Sequence, residues 1–249
     1  MTTTPAEELA GQVAIITGGG TGIGAAAARL MAASGADLVL AARKVERLVA
    51  VAEEITAMGR RCLVVPTDMR NEDEIQHLVD RTIDEFGRIE IVVNNAGGSY
   101  LFPIESTPLD KWDNSFALNV RAPFILTQLA GEHMLAAGKG VFVNISSAAG
   151  LVGVVGGAAY SSAKAGLQMF TRVVAKEWGP RGIRANAIAV GAVASEGALR
   201  SWKRAGIYDR LIDNAGQPED IANAILYLAT DRSKFMNGET IALTGGPVD

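Results

Sequence analysis

The 249-residue chain carries 27 acidic and 23 basic residues, a net charge of −4, and is 49% hydrophobic. That apolar share excludes a disordered chain, and the mild acidity argues against electrostatic binding of nucleic acid. One cysteine, Cys62, and two histidines, His77 and His133, exclude a disulfide framework and a metal centre rich in cysteine or histidine.

From the amino end, Met1 to Ala10 is polar and acidic, lacks a basic leader and does not read as a signal peptide. Short β-rich runs follow at Val13–Thr17, Asp37–Ala41, Cys62–Val65, Ile89–Val93, Val141–Ser146, Arg184–Ala189 and Thr240–Leu243. Several are continuous apolar runs, as expected for parallel strands buried on both faces. Between them, helical periodicity marks Ile23–Ser34, Val45–Met58, Glu72–Phe86, Leu109–Ala137, Tyr160–Trp178 and Pro218–Ala229. Asn71 is placed to cap the third helix, and Gly179-Pro180 to stop the fifth. This alternation predicts an α/β fold, a Rossmann-type doubly wound seven-stranded parallel sheet with helices on both faces. With no composition break, residues 1–249 read as a single domain. Residues 195–216, polar and without a strand, read as a substrate lid or a surface connection. Gly140 to Ala163 lacks charge, but its polar residues and five glycines fit a buried strand, a loop and a helix start better than a membrane span. The expected location is the cytoplasm, with no membrane partner.

Glycine makes up about 11% of the chain, 28 residues, against roughly 7% on average. Part of that excess lies after the first strand, where Gly18-Gly19-Gly20-Thr21-Gly22-Ile23-Gly24 leads into an alanine-rich helix. Such a turn aims backbone N–H groups and a helix amino terminus at an anion. Thr17, Gly18, Gly22 and Gly24 give the spacing T-G-x-x-x-G-x-G, which suits the pyrophosphate of a dinucleotide. At the tip of strand two a carboxylate would select the ribose 2′-hydroxyl of NAD(H). Here the residues are Ala42-Arg43-Lys44. An arginine grips a phosphate through charge-assisted hydrogen bonds, so Arg43, with Lys44 beside it, favours NADP(H), with NAD(H) second.

Further motifs follow in order. They are Asn94-Asn95-Ala96-Gly97, Leu118-Asn119-Val120, Asn144-Ile145-Ser146-Ser147 and Tyr160-Ser161-Ser162-Ala163-Lys164, then Asn186 to Gly191, Gly216 to Ala222 and Gly245-Gly246. Tyr160 and Lys164 alone read better as a core tyrosine and a solvated lysine on one helix. The ordered set, over the whole chain, resembles the short-chain dehydrogenase/reductase family. The resemblance implies a dinucleotide-binding catalytic domain that moves hydride between nicotinamide and a carbonyl or secondary alcohol.

It also implies roles. Tyr160 is the general acid or base, and Lys164 favours its phenolate and binds the nicotinamide ribose. Ser147, thirteen residues before the tyrosine, binds the substrate oxygen, while Ser146 points to the other pleat and is structural. Asn119 interrupts its helix and holds a water linking Lys164 to solvent. Gly18, Thr21, Gly22, Ile23 and Gly24 form the pyrophosphate turn. Asp68 and Met69 form the adenine pocket, with Asp68 receiving the amino group. Asn95 and Gly97 line the cofactor, and Val193 and Ser195 contact nicotinamide and pyrophosphate. Two departures stand out: Val190-Gly191 replaces the usual Pro-Gly, and Thr21 stands where many NADP(H)-preferring relatives have a basic residue.

Around the substrate, Gly98, Ser99, Tyr100, the Ala148–Ala159 loop and the segment after Gly191 are mostly small or apolar, which suits an uncharged small-molecule carbonyl or alcohol. Arg200, Lys203 and Arg204 read as a solvated face, with a coenzyme A phosphate as the other reading. The family implies a homotetramer, with the helices at Leu109–Ala137 and Tyr160–Trp178 in one interface. Two rival functions stay open. One is reduction of an enoyl-CoA double bond, because the glycine turn and Ala42-Arg43-Lys44 resemble enoyl- and dienoyl-CoA reductases. The other is a dinucleotide sensor without turnover. The complete Ser147–Tyr160–Lys164 set favours carbonyl chemistry of the 3-oxoacyl reductase kind.

Overall fold

The computed structural model describes residues 7–246, so the first six residues of the amino-terminal stretch and the last three of the chain lie outside the described residues. The elements run β1 (Val13–Thr17), α1 (Gly22–Ala33), β2 (Asp37–Ala42), α2 (Val45–Ala57), β3 (Cys62–Pro66), α3 (Glu72–Phe86) and β4 (Ile91–Asn94). They continue with α4 (Leu109–Phe116), α5 (Ala122–Ala137), β5 (Gly140–Ser147), α6 (Ala158–Trp178) and β6 (Ile183–Val190). Last come α7 (Glu196–Ala205), α8 (Tyr208–Leu211), α9 (Pro218–Ala229) and β7 (Thr240–Leu243). The strands form one seven-stranded sheet in the order β3-β2-β1-β4-β5-β6-β7, with every pairing parallel.

Strand alternation explains the layering. Ala14, Ile16, Leu38 and Leu40 face α1, α2 and α9, through Ala28, Met31, Leu48 and Ile225. Val13, Ile15, Val39 and Phe142 face the other way, against Ile75 and Leu78 of α3, Leu126 and Met134 of α5, and Val174 of α6. The run of small residues Ala25 to Ala28 lets α1 lie close to the sheet and α9. Strand order reverses between β1 and β4, and a crevice forms at the carboxyl ends of strands at such a switch point.

Three expectations change. The single helix expected over Leu109–Ala137 is divided by a π-helical turn, Ala117–Arg121. Pro123 has no N–H to give the Asn119 carbonyl, and Asn119 Nδ2 takes the Ser115 carbonyl at 2.9 Å, so the regular ladder cannot continue. The fourth strand begins at Ile91 rather than Ile89. There the Glu90 carboxylate accepts the Val13 N–H at 2.8 Å, and the ladder starts one residue later. Residues 195–216 hold two helices, α7 and α8. Ser195 starts α7 by accepting the Ala198 N–H at 3.2 Å. Among the described residues no helix is long and apolar enough to cross a membrane, and no three metal-ligating side chains cluster.

Candidate active site

The crevice begins at Thr17, a buried residue at the end of β1. Its hydroxyl accepts the Asn95 and Ala96 N–H groups at 3.0 and 2.9 Å, which ties the glycine turn to the end of β4. Asn95 Nδ2 donates to the Thr17 carbonyl at 2.8 Å, so this side chain props the turn rather than lying free in the crevice. Gly22 has φ +53°, a left-handed conformation that strains any other residue. A Cβ at Gly24 would overlap the Gly18 carbonyl oxygen and sit 2.6 Å from Asn95 Nδ2. Thr21 precedes α1 without a side-chain cap, and the first turn contains no acidic residue. The N–H donors of that turn therefore face the crevice without a side-chain acceptor, next to backbone no side chain obstructs. This arrangement fits a dinucleotide pyrophosphate.

Across the crevice, Ser147 ends β5, Tyr160 and Lys164 lie one turn apart on α6, and Asn119 sits in the π turn. Lys164 is 4% exposed, and its ammonium donates to the Ile145 carbonyl at 2.8 Å. Burial lowers its pKa to about 8. Its Nζ lies 5.8 Å from the centre of the Tyr160 ring. Burial pushes the Tyr160 phenol above its ordinary value, and the neighbouring Ser147 hydroxyl opposes that rise. Ser147 thus moves Tyr160 toward ionisation. The Ser147 hydroxyl also accepts the Ala149 N–H at 3.1 Å, which fixes its rotamer. Ser146 points away, as strand alternation requires, and its hydroxyl donates to the Lys164 carbonyl at 3.0 Å.

Asn119 is fully buried and clamps Gly98, donating to its carbonyl at 3.0 Å and accepting its N–H at 3.3 Å. A Cβ at Gly97 would lie 2.9 Å from Asn119 Oδ1 and 3.2 Å from Lys164 Nζ, so Gly97 keeps the floor between them low. Asn94 Nδ2 donates to Asn144 Oδ1, whose amide in turn donates to Thr171, each at 2.8 Å. That buried chain joins β4, β5 and α6 beneath the site.

At the far end of the crevice the expected residues are less closely gathered. Arg43 is exposed just past β2, and Ile23 packs on the core. The Asp68 carboxylate is held by Arg70, which donates at 3.0 and 2.6 Å and keeps its pKa at about 2. The Met69 side chain is buried in the core. Val193 is buried and bridged to Gly216. Ser195 rests on the glycine turn, because a Cβ at Gly22 would lie 2.9 Å from the Ser195 Cβ. Of the three basic residues after it, the Arg204 side chain lies outside the described residues. Sequence reasoning missed Arg47, which packs on Gly20 and donates twice to Glu196, at 2.9 and 3.0 Å.

Residues 12–206 match the model of the short chain dehydrogenase family. The chain belongs to that family. Relatives include a short-chain dehydrogenase/reductase of Hericium erinaceus, 37% identical over 94% of this chain and 96% of its own length. A 3-oxoacyl-[acyl-carrier-protein] reductase of Synechocystis is 36% identical over 96% of this chain and 98% of its own. The crystal structure of levodione reductase superposes with a TM-score of 0.91 at 29% identity, covering 96% of this chain and 98% of that one. This short-chain dehydrogenase is therefore an oxidoreductase acting on CH–OH or C=O groups with NAD(P).

Proposed function

We propose that the enzyme is an NADP(H)-preferring carbonyl reductase or alcohol dehydrogenase with Tyr160 as its general acid and base. The observation that carries this reading is the Ser147 hydroxyl beside Tyr160, with the buried Lys164 ammonium one helical turn further along α6 and 5.8 Å from the centre of the Tyr160 ring. Bound over Gly18, Thr21, Gly22, Ile23 and Gly24, the dinucleotide supplies or takes up hydride at the substrate carbon. The protein's own residues do the rest. The Ser147 hydroxyl donates to the substrate oxygen, Tyr160 Oη gives that oxygen its proton in reduction, and in oxidation it takes the proton back. Lys164 binds the nicotinamide ribose and stabilises the phenolate. The π turn leaves the Asn119 carbonyl without the N–H of Pro123, which supports its role as a water anchor beside Lys164.

Arg43 and Lys44, with no carboxylate at the tip of β2, support the choice of NADP(H). Asp68, Met69, Asn95, Gly97, Val193 and Ser195 complete the cofactor site. Residues 195–216 act as the lid of a single catalytic domain. The substrate is an uncharged, largely apolar carbonyl compound. Tyr100, Leu101, Leu151, Val154 and Val155 are all exposed on the loops after β4 and β5, which are joined by the Phe102 N–H donating to the Gly156 carbonyl at 2.8 Å. The exposed Phe124, Met169 and Val173 on α5 and α6 support assembly as a homotetramer. The deciding assay follows NADPH consumption against ketones, quinones, 3-oxoacyl thioesters and enoyl thioesters. Turnover of carbonyls is expected. Turnover of enoyl thioesters alone transfers the enzyme to double-bond reduction, and tight binding of NADPH with no turnover makes it a sensor.

A further inference from the structure

On α6 the residues turned inward include Ala163, Lys164, Leu167, Gln168, Thr171 and Val174. Gln168 is an unexpected member of that face. An amide with two donors and an acceptor is costly to bury unless its hydrogen bonds are made, and a leucine or methionine would fill the same space without that cost. Gln168 is 7% exposed. Its Nε2 donates to the Ser147 carbonyl at 3.1 Å and to the Ser146 hydroxyl at 3.0 Å. That hydroxyl donates its own hydrogen bond to the Lys164 carbonyl. One amide thus holds the last two residues of β5 against the helix that carries Tyr160 and Lys164.

The surroundings are shaped around this contact. A Cβ at Gly150 would lie 2.7 Å from Gln168 Nε2 and 2.8 Å from the Ala165 nitrogen, so the loop after β5 can lie on the amide only because Gly150 has no side chain. Ser147 is fixed from its other edge by pairing with Val190 of β6. Its own hydroxyl is turned by the Ala149 N–H. Among the described residues, the one tie from Ser147 to the catalytic helix that does not run through reacting hydroxyls is the bond from Gln168.

We propose that Gln168 is a positioning residue for the reaction: its amide sets the distance between the Ser147 hydroxyl and Tyr160 by clamping the Ser147 carbonyl to α6. This inference rests on the proposed roles of Ser147 and Tyr160. Gln168 itself touches neither substrate nor cofactor.

The test is Gln168→Met, which keeps length and volume and removes both donors. NADPH affinity, read by nucleotide fluorescence, is expected to stay within about twofold, whereas kcat for ketone reduction falls about tenfold, the rate equivalent of one buried hydrogen bond. In the oxidation direction the rise of kcat/KM with pH is expected to move about 0.5 pH or more upward, because a displaced Ser147 no longer favours the Tyr160 phenolate. Gln168→Glu is the second variant. Its neutral acid keeps one donor and its carboxylate has none, so its reductase activity should recover as pH falls through the carboxyl titration. A Gln168→Met enzyme that melts earlier but keeps wild-type kcat and an unmoved pH profile makes Gln168 a packing residue and overturns the proposal. Should that variant not fold, a Gln168→Glu enzyme with the wild-type pH profile overturns it equally. The underlying assignment fails separately, through activity that survives Tyr160→Phe.

Discussion

Where β5 meets α6, the groups of the proposed chemistry are held by buried hydrogen bonds. Lys164 is held by Ile145 and Asn119 by Gly98. At the other end of the crevice, beyond β2 and β3, the charges stand at the surface. Arg47 pairs with Glu196, a partner shared with Arg200, and Arg70 pairs with Asp68. Buried polar networks are strong and unforgiving, because a group that loses its partner cannot turn to water. Exposed ion pairs are weak and screened by salt. For the proposed reaction the difference divides the tasks: the buried end would hold the reacting groups in place, and the exposed end would meet the charged end of the dinucleotide, which has to be released after each turnover.

The sharpest way to break this comparison lies at the buried end. Tyr160→Phe should lower kcat about a thousandfold, within the usual span for losing a general acid. Steady-state reduction at anything near the wild-type rate would remove the assigned mechanism. Lys164 offers a thermodynamic handle on the same region. Its folded pKa of about 8 lies below the ordinary 10.5, so between those values the unfolded chain binds more protons. Stability from this group is full above the ordinary value and is lost as pH falls through about 8, amounting to roughly 3 kcal/mol. Cys62 works the other way, since burial raises its thiol to about 12 and its contribution fades as pH climbs from 9.0. In a Cys62→Ala background, melting temperature should therefore rise from pH 8 to 10, and Lys164→Met should flatten that rise. A slope that Lys164→Met leaves unchanged assigns it to other groups.

At the exposed end the effects shrink. Arg43→Ala should raise KM for NADPH about tenfold and leave KM for NADH within about twofold, a gap that narrows with added salt. Equal losses for both dinucleotides would strip Arg43 of its phosphate role. The smallest effect belongs to Asp68. Its carboxyl is held at about 2 by Arg70, below the ordinary 3.8, so its stabilising contribution is present above the ordinary value and disappears as pH falls toward 2. Asp68→Asn should cost about 1 kcal/mol or less near neutrality, given a partly exposed pair. Chemical denaturation at pH 7 and pH 3 reads the difference, and a penalty that grows on acidification would contradict the sign.

Much of this was legible before any coordinates. β1 and β7 match their expected bounds, and α3 does too, with Asn71 capping it by accepting the Asp73 N–H. Apolar continuity and capping chemistry are local signals, and local signals survive folding. The glycine turn was readable because Gly22 and Gly24 are dictated by backbone geometry. Partner choice was not readable. Nothing in a periodicity joins Arg47 to Glu196, 149 positions away, or turns the Gln168 amide onto the Ser147 carbonyl. The π turn left a legible trace in Pro123, which a hydrophobic pattern running through Leu109–Ala137 conceals.

The uncapped start of α1 has a consequence beyond recognition. α3 and α9 complete their own first turns with Asn71 and with the Gln217–Asp220 box, so their integrity is internal to the chain. α1 has no such side chain after Thr21. Its first turn is finished by whatever anion it binds, and binding to the folded form alone shifts the folding equilibrium by mass action. Bound dinucleotide would thereby stabilise the fold as well as serve the chemistry, so melting temperature should rise with added coenzyme.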